Sequence, residues 1–244
     1  MFIIECVITE HCDLRCTYCY IDKKVVHMSI DIFDMLIDNI DDILKLYNQS
    51  RYHLDFFGGE PLLNFDLIKH AVPILQNDQR CSTFSIISNL LSLDEDKLKF
   101  IKDNNINISF SFDGLWNEFN RPLKDGSSSL KLYEQKKPLI KQLSPHYCKV
   151  MVSPASLGTL VDNARYLIED WEISSPDFTL VRDDIWTEDD INKFRSEIRQ
   201  LSDLQIDYIK NKHKRVIIGF YLLYLLDMVI GYKHGKRSFG CFAG

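Results

Sequence analysis

The stretch that decides the fold lies near the start of the chain, where a strand-like run is followed at once by three closely spaced cysteines. The run covers residues 2–9, and the segment after it reads Cys12-Asp13-Leu14-Arg15-Cys16-Thr17-Tyr18-Cys19. Thiols at spacings of four and three residues are able to turn inward on one tight loop. Three sulfurs are one fewer than the four of a closed structural zinc site or a fully cysteine-ligated iron–sulfur cluster, so a metal bound here keeps one coordination position open. An open position indicates chemistry rather than structural support.

The length and the composition of the chain favour one globular α/β domain. The 244 residues carry a formal net charge of −6 and form no basic stripe, which argues against a nucleic-acid surface. No positively charged segment followed by an apolar one precedes the first strand, so we expect no secretion signal and a cytoplasmic protein. The apolar run at 216–230 is too short to cross a membrane and contains Asp227, so we expect a buried or docking helix there.

The cysteine count favours metal or redox use over a disulfide framework. Seven cysteines are an odd number in a chain for which we expect no secretion signal. Cys6, Cys81 and Cys148 lie in strand-like contexts, where a cysteine is usually a small buried hydrophobic residue. The other four are the three of the opening loop and Cys241 near the end of the chain.

Strand-like runs alternate with amphipathic helical patterns along nearly the whole sequence, which is typical of βα units and a parallel sheet. The predicted strands cover residues 2–9, 53–57, 83–88, 106–112, 147–153 and 177–181. The predicted helices cover residues 29–47, 64–76, a segment opening near 94, 128–143, 159–169 and 187–211. Active sites of parallel barrels form at the carboxyl ends of the strands, so the functional motifs are expected just after each strand.

The cysteine spacing, with the aromatic Tyr18 directly before Cys19, resembles the signature of radical S-adenosylmethionine (SAM) enzymes. The resemblance implies an open (β/α)6 partial TIM barrel with the cysteine loop after the first strand. It implies that Cys12, Cys16 and Cys19 ligate three irons of a four-iron, four-sulfur cluster and that SAM chelates the fourth. A plain zinc loop is the alternative reading of the cysteine spacing taken alone.

A second motif follows the second strand and strengthens the resemblance. The segment Phe57-Gly58-Gly59-Glu60-Pro61 has two glycines that let the backbone approach a ligand closely, and Glu60-Pro61 fixes the exit into the next helix. On its own this pattern is a tight turn. Together with the cysteine loop it resembles the radical SAM segment whose backbone and glutamate bind the amino group of SAM.

Weaker matches follow the third and fourth strands. Residues 87–91, Ile-Ser-Asn-Leu-Leu, resemble the family's Thr-Asn-Gly-x-Leu segment with a leucine in place of the glycine, so Asn89 is either a cofactor-facing residue or a strand-ending turn residue. The pattern of Ser111, Asp113-Gly114 and Arg121 resembles the peptide-modifying and sulfatase-maturing branch of the family. Ser111 is our candidate for the ribose hydroxyls of SAM, and Arg121 pairs either with Asp113 or Glu118 or with the SAM carboxylate.

The end of the chain, Gly240-Cys241-Phe242-Ala243-Gly244, resembles the start of the auxiliary-cluster (SPASM or twitch) extension in the same branch. Further cysteines follow in those relatives, and none follows here. Cys241 is otherwise a tail thiol. We therefore expect a partial barrel over residues 1–212 and, over 213–244, a C-terminal helix with the truncated start of an auxiliary segment.

The sequence predicts a radical SAM enzyme that cleaves SAM reductively and abstracts hydrogen from a peptide or protein side chain. The expected partners are that substrate and a one-electron donor of the flavodoxin or ferredoxin type. One alternative is a radical SAM activity on a small molecule, of the molybdenum-cofactor or deazaguanine type. The other is a non-catalytic relative that binds a peptide partner and whose loop holds zinc or no metal.

Overall fold

The first of two compact units of the protein carries four parallel strands in chain order. The computed structural model describes residues 2–181, 184–212 and 215–219, and the units divide between Pro145 and His146. In the first unit β1 (Phe2–Thr9) pairs with β2 (Tyr52–Gly58), β2 with β3 (Cys81–Ser88), and β3 with β4 (Asn107–Ser111). In the second unit β5 (Tyr147–Val152) pairs in parallel with β6 (Ser175–Leu180). All six strands lie where the sequence predicts them, and each strand end agrees with the prediction to within two residues.

Helices separate the strands along the chain, as expected for βα units. They are α1 (Ile30–Asp38), α2 (Ile40–Leu46), α3 (Phe65–Asn77), α4 (Glu95–Asp103), the short α5 (Asn117–Asn120), α6 (Leu130–Ile140), α7 (Leu160–Arg165) and α8 (Glu188–Lys210). Two residues that open predicted helices cap those helices in the structure. The Ser29 hydroxyl accepts from the Ile32 N–H, and Asp94 accepts from the Lys97 N–H at the start of α4.

Two predicted helices are interrupted in the structure. The helix expected over residues 29–47 breaks at Asn39, whose side chain donates to the Met35 carbonyl and so competes with the next helical turn. The helix expected over 159–169 continues from α7 only as a wider π-helical turn, Tyr166–Asp170. The long apolar run predicted as a helix, and the Gly-Cys-x-Ala-Gly end with Cys241, lie largely outside the described residues, so the proposed division at 212/213 stays a prediction.

The core of the first unit lies between one face of the strands and the helices. Alternation along β2 buries Tyr52, Leu54 and Phe56 completely. Phe56 meets Phe33 of α1 with ring centroids 6.4 Å apart. Among the described residues, no helix combines the length and the apolar character needed to cross a membrane.

The two glycines that end β2 set the position of the loop that follows β1. The Gly59 N–H donates to the Thr9 carbonyl at 2.7 Å, and the Glu60 N–H donates to the His11 carbonyl at 2.8 Å. A Cβ atom on Gly59 would lie 2.3 Å from the His11 oxygen, and one on Gly58, whose φ is 131°, would lie 2.1 Å from the Thr9 oxygen. The glycines were expected to approach a ligand, and in the structure they approach the backbone just before Cys12.

We expect Phe56→Ala to lower the free energy of unfolding by about 3–5 kcal/mol, because it empties a fully buried aromatic site against α1. The matched control is Phe119→Ala, since Phe119 is 42% exposed and should lose much less. Urea denaturation followed by circular dichroism measures both. Equal losses in the two variants would contradict the placement of the core.

We expect Gly59→Ala to displace the cysteine loop, because the new methyl group overlaps the His11 carbonyl. The matched control is Gly126→Ala, where the methyl group meets nothing within 4 Å and only the positive φ of 84° is unfavourable. Iron uptake during anaerobic reconstitution, measured per chain, should fall severalfold in the first variant and stay near wild type in the second. Full iron uptake by Gly59→Ala would show that this packing does not set the loop.

Candidate active site around the cysteine loop

The three cysteines of the opening loop occupy different environments. Cys12 is buried, its sulfur accepts the Leu14 N–H at 3.4 Å, and the Asn89 amide nitrogen lies 3.9 Å from the same sulfur. Cys16 and Cys19 are half-buried and line a cavity of about 690 Å³. The loop therefore presents two thiols to open space and keeps the third beneath them.

Basic side chains surround this cavity although the whole chain is acidic. The remaining lining residues are Leu14, Arg15, Ile21, Asp22, Lys23 and Lys124. The Lys23 ammonium donates to the Leu14 carbonyl at 2.7 Å, and Lys124 lies 2.8 Å from the His11 ring nitrogen. Cations beside thiolates stabilise the negative charge that metal binding requires.

The thiols do not converge on one point in the described part of the chain, where no group of three His, Cys, Asp or Glu side chains is placed as a metal site. Burial raises the pKa of Cys12 to about 12 and raises the pKa of Cys16 as well. Protonated thiols have no mutual attraction, and iron binding has to displace their protons. The cluster ligands thus stay a prediction that rests on the loop and its spacing.

The Glu60 side chain is completely buried and accepts hydrogen bonds from residues that follow β2 and from the end of β3. One carboxylate oxygen accepts from the Leu62 N–H at 3.0 Å and from the Ser88 hydroxyl at 2.6 Å, and the other accepts from the Asn89 N–H at 2.7 Å. Burial, followed by the negative charge of Asp13, raises the pKa of Glu60 to about 8. Glu60 therefore joins the ends of β2 and β3, and a role toward the amino group of SAM stays a prediction.

Asn89 faces the cysteine loop. Its amide nitrogen donates to the Asp13 carboxylate at 2.7 Å, while its amide oxygen accepts the Leu91 N–H at 2.8 Å. Leu90 takes the left-handed conformation that the family's glycine would supply, with φ of 62°, and its side chain is fully buried. Asn89 is thus a turn residue that also contacts the cysteine loop, and its role toward a cofactor stays a prediction.

Arg121 pairs with Asp113 and not with Glu118. Its Nη2 donates to the fully buried Asp113 carboxylate at 3.0 Å, and the Tyr18 hydroxyl donates to the other oxygen of the same carboxylate at 2.7 Å. Burial is the main cause that raises the pKa of Tyr18, which keeps the phenol protonated as a donor. Ser111 ends β4 half-buried, and its hydroxyl makes no hydrogen bond to another described residue.

Two groups of residues in the structure were missed by sequence reasoning. Asp13 accepts from Asn89 and from the Ser92 hydroxyl at 2.9 Å, which ties the cysteine loop to the loop after β3. His53 and Asp55, two residues apart on one face of β2, lie 2.8 Å apart, and the Ser85 hydroxyl donates to Asp55. Alternation along β2 was a signal for the second group, whereas the contacts of Asp13 depend on the tertiary fold.

The residues present fit an iron–sulfur cluster with SAM. Two of the three thiols line a roomy cavity with cations, and the buried Nε of Arg121 has no hydrogen-bond partner among the described residues. A buried guanidinium N–H without a partner is suited to bind a carboxylate. Cys12, Cys16 and Cys19 would hold the cluster, and contacts of Arg121 and Ser111 with SAM stay a prediction.

Comparisons with known proteins agree with this geometry. The model of the Radical SAM superfamily matches residues 6–136. An uncharacterized protein of Methanocaldococcus jannaschii is 31% identical over 216 residues, which are 85% of this chain and 73% of that protein. A cysteine-type anaerobic sulfatase-maturating enzyme of Clostridium novyi is 31% identical over 114 residues, 43% of this chain and 30% of the enzyme. An S-adenosylmethionine-dependent nucleotide dehydratase of Psychrobacter lutiphocae is 30% identical over 123 residues, 46% of this chain and 41% of the enzyme.

A solved structure, native anSMEcpe with bound AdoMet and Cp18Cys peptide, matches with a TM-score of 0.75 at 18% identity and covers 97% of this chain. The match confirms the fold class, an α/β partial barrel of the radical SAM type. The chain spans 66% of the length of that structure and less than half of the lengths of the maturating enzyme and the dehydratase. With a family model that matches more than half of its residues, the chain belongs to the radical SAM superfamily, whose enzymes use a four-iron, four-sulfur cluster and SAM.

Proposed function

We propose that this protein modifies a peptide or protein side chain by radical SAM chemistry. The observation that carries the proposal is the cysteine loop, held by the ends of β2, β3 and β4, with Cys16 and Cys19 open to a cavity. When bound, the reduced cluster and SAM supply a 5′-deoxyadenosyl radical that abstracts a hydrogen atom from the substrate. The protein's part is to bind, to orient and to exclude water.

The side chains around the loop have distinct proposed parts in binding. Cys12, Cys16 and Cys19 hold the cluster, and the Gly58-Gly59 backbone fixes the loop that carries them. Glu60 and Asn89 lie on the β2 and β3 side of the loop, where they are our candidates for the polar groups of SAM. Arg121, whose Nε has no hydrogen-bond partner among the described residues, is our candidate for the SAM carboxylate. Ser111, half-buried at the end of β4, is our candidate for the ribose.

Similarity favours a peptide or protein substrate. The maturating enzyme is named for its action on a sulfatase, and the solved structure holds a peptide beside AdoMet. The likeness to a nucleotide dehydratase favours a second candidate, a nucleotide substrate. We rank a peptide above a nucleotide as the substrate, because the pattern of Ser111, Asp113-Gly114 and Arg121 resembles the peptide-modifying branch.

The electron donor is proposed to be a small acidic carrier of the flavodoxin or ferredoxin type. Arg15, Lys23 and Lys124 line the cavity next to Cys16 and Cys19, so a negatively charged partner is attracted to the side where the electron must enter. We propose a cytoplasmic location, where such carriers and reduced thiols are found.

We expect Cys12→Ala, Cys16→Ala and Cys19→Ala each to abolish 5′-deoxyadenosine formation from SAM and dithionite, because each removes one cluster ligand. The matched control is Cys81→Ala, since Cys81 is a free half-buried cysteine on β3 that we place outside the site. Anaerobic reconstitution, iron content and chromatography of the nucleoside are the measurements. A colourless wild-type protein that holds zinc and releases no nucleoside would contradict the proposal.

The substrate class is tested with peptides encoded by short reading frames next to this gene. With a peptide carrying deuterium at its side chains, we expect deuterium to appear in 5′-deoxyadenosine and the peptide mass to change. Mass spectrometry detects both. Label transfer from a deuterated nucleotide, with no transfer from any peptide, would favour the dehydratase-like candidate instead.

A further inference from the structure

The segment that follows β4 holds the cysteine loop from one side. We call residues 113–123 the clamp segment. The Arg15 N–H donates to the Pro122 carbonyl at 2.7 Å and the Thr17 N–H to the Asn120 carbonyl at 2.9 Å, and Leu14 forms an antiparallel bridge with Leu123. The clamp segment therefore fixes the backbone of the loop between Cys12 and Cys19 by hydrogen bonds.

A buried ion pair anchors the clamp segment and reaches the loop. The Asp113 carboxylate is fully buried and accepts from Arg121, from the Tyr18 hydroxyl and from the Asn120 amide at 3.1 Å. The Asp113 N–H donates to the Asn117 side chain at 2.6 Å. The Arg121 guanidinium lies over the Tyr18 ring, 5.5 Å from its centroid. Tyr18 thus contacts both members of the pair from within the cysteine loop, two residues after Cys16 and one before Cys19.

The two charges of the pair act on Cys16 in opposite directions. Asp113 accepts the hydrogen bond of the Tyr18 hydroxyl and the Arg121 guanidinium lies over the Tyr18 ring, so one negative and one positive charge lie beside the segment that carries Cys16. Both charged groups are almost completely removed from water, so their fields are weakly screened. A cluster ligated by Cys16 becomes more negative by one charge when it accepts an electron, so a nearby cation favours reduction and a nearby anion opposes it.

We propose that the charges of Asp113 and Arg121 act on the reduction potential of the cluster in opposite directions and that their pairing keeps the two effects balanced, with Tyr18 coupling the charges to the loop. The inference rests on the proposed function, since it needs a cluster on Cys12, Cys16 and Cys19. The step concerned is the transfer of one electron from an external donor to the cluster, with no bond made or broken. The pair is close to neutral as a unit, so its effect becomes visible when one charge is removed.

The test uses the reconstituted full-length protein and an anaerobic redox titration with dithionite, followed by electron paramagnetic resonance. Asp113→Asn leaves Arg121 uncompensated and should raise the midpoint potential, whereas Arg121→Gln leaves Asp113 uncompensated and should lower it. We expect each to change the ratio of reduced to oxidised cluster at fixed potential about tenfold, about 59 mV for a one-electron couple. The double variant should return close to the wild-type potential, and Arg121→Lys should keep it.

Further variants keep the inference falsifiable where a lone buried charge prevents folding. Tyr18→Phe removes one hydrogen-bond donor from Asp113 and should lower the midpoint potential. The control is Tyr20→Phe, since Tyr20 is exposed just after Cys19, and this variant should leave the midpoint potential unchanged. Iron-loaded variants that shift in the same direction, or a Tyr18→Phe protein with the wild-type potential, overturn the inference. A wild-type protein that takes up no iron overturns the proposed function itself, so the two failures are distinguished by iron content.

Discussion

The hydrogen bonds from Gly59 and Glu60 to the carbonyls of Thr9 and His11 are the constraint on which the site depends. They join two adjacent parallel strands at the point where both strands end. The contact requires the absence of a side chain at positions 58 and 59, because a Cβ atom at either would lie within 2.3 Å of a carbonyl oxygen. With this contact made, Cys12 is placed directly above the end of β1, and the rest of the loop has a fixed start.

From that start the loop is held by two further contacts. Asp13 reaches the loop after β3 through Asn89 and Ser92, and residues 14–18 pair with the clamp segment after β4. The carboxyl ends of four parallel strands thus meet on one short segment, as the architecture of parallel barrels predicts. Each contact is a hydrogen bond to backbone or to a buried or half-buried carboxylate, which gives the loop little freedom before a cofactor arrives.

Local signals in the sequence predicted much of the fold. Alternation located all six strands, and Ser29, Asp94 and Thr187 marked the starts of helices where their hydroxyl or carboxylate oxygens accept a backbone N–H. The break at Asn39 was missed, because the apolar spacing continues through it while the amide side chain ends the helix. The spacing of apolar residues indicates which face of a helix is buried. It does not indicate where a side chain competes with the backbone for a hydrogen bond, as Asn39 does.

The sequence predicted which residues belong to the candidate site, but not which of them contact one another. Spacing identified the cysteines, and resemblance identified Gly58, Gly59, Glu60, Asn89, Ser111 and Arg121. The choice of Asp113 over Glu118 as the partner of Arg121 depends on how α5 turns after β4, and nothing in the spacing records it. The direction in which Gly58 and Gly59 face was likewise set by the neighbouring strand.

Leu90 has a consequence for the evolution of the loop after β3. Its left-handed backbone costs about 1–2 kcal/mol, and the full burial of its side chain returns about 1.5–3 kcal/mol. At the position where the family's segment has glycine, this chain has a leucine whose side chain is buried in the hydrophobic interior. The loop after β3 is therefore held rigid by packing, and a glycine at position 90 would remove that packing.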